Sequence, residues 1–179
     1  MFQYANDNNQ QYPDGNSSTE VFQKLIDGGY ITDPAIVYIP MAGKIKSTSL
    51  HLKPENVCFD VTSPADANTP DVLPIVFSTG YKVNYVPGGT VVPIVKPYPL
   101  YMVEDHRTLW QKLFNRLATE TVEPGIAVCY KTNSATFHLF DPSTATNPNG
   151  SIPNFVPPDF DARGKTYRQL TPDGVLPGN

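Results

Sequence analysis

Proline occurs nineteen times in 179 residues, accompanied by twelve glycines. Proline lacks an amide hydrogen and fixes its own φ, so it ends helices and is confined to strand edges, bulges and turns. A chain punctuated this densely forms no long helix or coiled coil and must join short elements through many loops. Hydrophobic residues, at 40%, still suffice for a core, and charged residues reach only 17%, which excludes a disordered acidic tail. One domain spanning residues 1–179 is the natural size for such a chain. The expected class is α+β: short helices with an antiparallel sheet and long Pro/Gly-rich loops.

Thirteen basic against seventeen acidic residues give a net charge of −4, with no Lys/Arg cluster. Proteins that grip phosphate backbones carry a basic stripe, so no nucleic-acid partner is expected. No apolar run approaches the ~20 residues that span a bilayer, and no cleavable signal peptide is visible. The opening residues Met1 to Asn9 read instead as a start methionine on the cut end of a longer helix. Phe2 and Ala5 form its last turn and the Asn/Asp run stops it.

Further along, Ser17-Ser18-Thr19-Glu20 has the capping-box pattern, with Ser17 as N-cap and Glu20 reaching back. Val21, Phe22, Leu25 and Ile26 then make one apolar helix face, closed by Gly28-Gly29. Ala35 to Ile39 reads as a short strand. Alternation over Asn56–Thr62, Leu73–Ser78, Gly80–Val86 and Thr90–Val95 predicts an antiparallel meander. Leu109, Trp110, Leu113, Phe114 and Leu117 predict a second helix, with Asp105 as its cap. A hairpin is expected from Gly125–Lys131 and Ala135–Phe140, followed by an extended tail over 141–179 with a short strand near Tyr167.

Motifs of catalysis are absent. There is no Gly-x-Ser-x-Gly, Walker-A or dinucleotide glycine pattern, and His51, His106 and His138 share no metal-ligand spacing. Asp159-Phe160-Asp161-Ala162-Arg163-Gly164, with Asp173 beyond, resembles part of a calcium loop without the third aspartate and closing glutamate of an EF-hand. Asp159, Asp161 and Asp173 are therefore candidates for an irregular calcium site. The alternative is a polar turn with an arginine partner. Cys58 and Cys129 lie in two expected strands, and either bridge or remain buried thiols. A bridge closing about 70 residues would contribute about 4 kcal/mol in the chain-entropy account.

Tyr4-Ala5-Asn6-Asp7-Asn8 followed by Tyr12-Pro13-Asp14, and then Gly29-Tyr30-Ile31-Thr32-Asp33-Pro34 after a short helix, carry a resemblance. Over roughly residues 2–45 the chain resembles type IV pilin-like proteins and type II secretion pseudopilins, above all the pseudopilin-like proteins of Planctomycetes and Verrucomicrobia. The resemblance implies a non-enzymatic filament subunit of the cell envelope, its head periplasmic or extracellular. Its anchor would be an apolar membrane helix preceding residue 1, and its partners would be other pilin or pseudopilin subunits and secretion-machinery components. Some pseudopilins bind calcium in a C-terminal loop, where Asp159 and Asp161 are candidates by location. Members of the group often carry a cysteine at the position of Ile39, which this chain replaces. Two other functions stay open: an extracellular binding module stacking ligands on exposed tyrosines and Trp110, and a secreted hydrolase with a dispersed site.

Overall fold

In the computed structural model, residues 1–41, 43–89, 91–93, 125–139 and 156–176 are described. The predicted helix over 109–117, with Asp105 and Trp110, lies outside them, as does His106. Among the described residues there are two α-helices, α1 over Phe2–Asp7 and α2 over Ser18–Asp27. Ser17 caps α2 by accepting from the Glu20 amide at 3.1 Å. The Glu20 carboxylate reaches one residue further back than a capping box requires, to the Asn16 amide at 2.8 Å. Gly29, at φ +73°, turns the chain out of the helix in a conformation that costs a side chain its Cβ clearance.

Seven strands follow among the described residues: β1 Phe59–Ser63, β2 Pro74–Ser78, β3 Tyr81–Val83, β4 Val91–Pro93, β5 Gly125–Tyr130, β6 Ala135–Leu139 and β7 Arg168–Leu170. Five of them form an antiparallel sheet in the order β6-β5-β2-β1-β7, and β3 and β4 pair separately as a two-stranded ribbon. The class is therefore α+β. The expected meander holds for the antiparallel pairs β1–β2 and β3–β4 and is corrected between them: the second neighbour of β2 is β5, and β3 leaves the sheet. The expected strand at Ala35–Ile39 is also corrected. Pro34–Val37 is a 3-10 turn whose N-cap, Asp33, accepts from the Ala35 amide, because Asp-Pro starts a tight turn more readily than a strand.

Register assigns the two faces of the sheet. Val61 pairs with Val76 and Leu170, and Val76 with Cys129. This face meets α2, so that Val21, Phe22 and Leu25 pack with Val37, Val57, Val61 and Leu170. Asp60 pairs with Phe77, and Phe77 with Val128, on the opposite face. There Ile75, Phe77, Ile126 and Val128 pack beneath Tyr81 and Val83 of the ribbon and beneath Phe160 and Tyr167. Both faces of β1 are thus covered, which buries its polar as well as its apolar positions. Each fully buried Val, Leu or Phe contributes roughly 1.5–3 kcal/mol.

Candidate functional site

α1 is seated against both apolar clusters. A six-residue helix is not stable alone, since nucleation costs more than so few hydrogen bonds return, so its side chains must key it in place. Ala5 is buried, and Met1 packs against both apolar clusters. Phe2 stands edge-on to Tyr12 at 5.5 Å, and Tyr4 to Tyr30 at 5.3 Å. The Tyr30 hydroxyl donates to Asp7 Oδ2 at 3.0 Å, and that bond raises the phenol's pKa. The helix ends where Asn8 Nδ2 donates to the Tyr4 carbonyl and where Asn9 and Gln10 both take left-handed φ, +53° and +63°. The chain is then fastened to the loop after β1, with Tyr12 N donating to Ala65 O at 3.0 Å and Ala67 N to Gln10 O at 3.1 Å.

The three aspartates proposed as calcium ligands do not converge. Asp159 and Asp161 are exposed and line an open cleft of about 420 Å³ together with Asp71, Lys131 and Arg163. Two cations on its walls already oppose the acidic charge, with Lys131 paired to Asp71 at 3.2 Å. Asp161 accepts from the Arg163 amide at 2.8 Å, closing a local turn. Asp173 lies elsewhere, in the turn after β7, where its charge acts on Asp60. Among the described residues no group of three His, Cys, Asp or Glu side chains could hold a metal. The geometry at Asp159 and Asp161 is that of the alternative, a polar turn with its arginine, whose guanidinium reaches the Asn68 carbonyl at 3.0 Å.

Cys58 and Cys129 both carry free thiols, the first buried and the second half-buried, which is the second of the two alternatives. Cys129 faces Val76 of β2, whose partner on β1 is Val61, three residues beyond Cys58. Two strand spacings and three residues of rise put the pair more than about 10 Å apart, well beyond disulfide reach. The Cys58 thiol instead donates to the Ile39 carbonyl at 3.3 Å, and burial raises its pKa. His138 sits on β6 beside Thr136 with its pKa lowered by burial, and His51 is exposed. Among the described residues every tyrosine is buried or half-buried, so no stacking row of the kind a carbohydrate module needs is found there.

One polar centre escapes sequence reasoning. Asp60 is 0% exposed, and its Oδ1 has no hydrogen-bond partner. Its Oδ2 accepts from Gln169 Nε2 at 2.5 Å. Burial pushes this carboxyl up to about 7, against the pull of the Thr79 and Gln169 side chains and of the Lys44 charge. Alternation in β1 marks Asp60 and Thr62 as a solvent face. Only residues distant in sequence, Tyr81 and Val83 of β3 and Gln169 of β7, turn that face inward. A second cleft of about 270 Å³ runs beside it, between Lys82–Val86 and Lys165–Gln169. The chain matches no family model, none of the curated proteins and no solved structure.

Proposed function

We propose that this chain is the head of a type IV pilin-like or type II secretion pseudopilin subunit, a non-enzymatic building block of an envelope filament. Its partners in this reading are other such subunits and secretion-machinery components, and its membrane anchor is the apolar helix that the resemblance implies. The observation that carries the reading is the way α1 is keyed into the head. A filament subunit must hold its head rigidly on a helix that is buried among its neighbours. Here a short helix touches both apolar clusters, is locked by two aromatic pairs and is laced to the loop after β1.

Members of the resembled group often carry a cysteine at position 39; this chain has isoleucine there, which takes any family disulfide at that point out of play. The coding sequence upstream of residue 1 tests the proposal. A small-residue prepilin cleavage site followed by about 20 apolar residues is the expected result. A plain cleavable signal peptide there refutes it.

A further inference from the structure

The buried carboxyl of Asp60 plays no part in seating α1, and its surroundings join two walls of a cleft. Gln169 Nε2 donates both to Asp60 Oδ2 and to the Tyr81 carbonyl, each at 2.5 Å, while its Oε1 accepts from the Val83 amide at 3.0 Å. One side chain on β7 therefore ties β3 to the sheet at two backbone atoms, and its remaining donor is committed to Asp60. We propose that Asp60 and Gln169 form a proton-controlled latch that holds the β3 wall closed while Asp60 is neutral and loosens it when Asp60 ionises.

The direction follows from solvation. A carboxylate with one oxygen unbonded in an apolar interior is costly, and water is the partner that relieves it. Gln169, Val83 and Tyr85 line the 270 Å³ cleft, so water reaches the carboxyl most directly when its two walls part. Among the described residues, the ionisable groups acting on Asp60 are few. Lys44, from the loop before β1, favours the charged form, and Asp173, in the turn after β7, opposes it. Tyr85, beyond β3, is bonded to Thr62 and stays neutral because burial raises its pKa far above the ordinary tyrosine range. Lys82 lies on β3 itself, along the cleft wall. Burial opposes the charged form of Asp60 and pushes its carboxyl up to about 7.

Amide hydrogen exchange between pH 4 and 8 tests the latch on the intact chain. After correction for intrinsic exchange, the opening constant of the Val83 amide should rise about tenfold per pH unit from about 4 to 7 and level off above. Its opening free energy should lie below that of the β5 amides throughout. In Asp60→Asn the rise should vanish while the protein stays folded. The side-chain carboxyl carbon of Asp60, followed by NMR in the wild-type protein, should titrate at the pH where the rise levels off. That second reading decides the matter even if the variant does not fold. The latch is overturned if Val83 opens only together with β5. It is equally overturned if its profile is the same in Asp60→Asn, or if the carbon titrates more than a unit away from the levelling point.

Discussion

Replacing Asp60 by Asn removes a charge that the fold buries, and the consequence for global stability can be worked out. The carboxyl titrates at about 7 in the folded protein against an ordinary value of 3.8. At about 1.4 kcal/mol for each tenfold change in proton affinity, the difference amounts to about 4 kcal/mol. The sign is fixed by which state binds the proton more tightly. Below pH 3.8 Asp60 is neutral in both states and its contribution is fully present. As pH rises from 3.8 to 7 the unfolded chain ionises while the folded one does not, and stability falls. Above 7 both forms are charged and the loss is complete. Asn keeps an acceptor for Gln169 Nε2 and never ionises. Unfolding in urea at pH 3 and pH 8 should therefore show the variant gaining about 4 kcal/mol on the wild type between the two conditions. With a urea slope of about 2 kcal/mol/M, the gap between their midpoints moves by about 2 M. Carboxylates held below their usual range, such as Asp66 beside Lys165, respond in the opposite sense, but they are common to both proteins and cancel. A gap that stays constant to within 1 kcal/mol from pH 3 to pH 8 would refute the reasoning, because Asp60 would then be solvated in the folded state.

Two further outcomes test other parts of the architecture. Phe22→Ala should cost about 3–5 kcal/mol in chemical denaturation, because Phe22 is 5% exposed within the cluster that joins α2 to β1 and β7; a loss under 1 kcal/mol would mean that α2 does not pack there. Ile39→Cys should oxidise to a bridge with Cys58, leaving Cys129 as the one titratable thiol and raising stability by about 3 kcal/mol for a loop of about 20 residues; three titratable thiols after oxidation would show that position 39 does not face Cys58.

What could be read from the chain follows the range of the interactions involved. Ser17, Glu20 and the glycines after Asp27 announce α2 because capping acts within one turn of helix. The β5–β6 hairpin was equally legible, its turn held by Asn133 at φ +62°. The destination of β3 was not, because Tyr81, Val83 and Tyr85 alternate as any strand would, and pairing with β4 rather than with the sheet depends on distant contacts. The same holds for Asp60. Its place in an alternating pattern marks a wet face, and only the residues from β3 and β7 that cover it make the carboxyl a buried one. At Asp159 and Asp161 the spacing of acids was visible, while Lys131, brought to the same cleft by β5, was not. The neutralising partner lay 28 residues away from Asp159 along the chain, beyond the reach of any local motif.

The joint that follows α1 has a mechanical consequence. Asn9 and Gln10 are both held in left-handed backbone conformations, and residues 10–12 are hydrogen-bonded alongside 65–67. A swivel at that point would have to break those bonds, which hold Asn9 and Gln10 in a backbone region they would otherwise leave. A pull or twist applied to the helix is therefore not absorbed as slack at the joint. It passes through Tyr12 and Ala65 into the loop that leaves β1, and the sheet bears it as shear between strands.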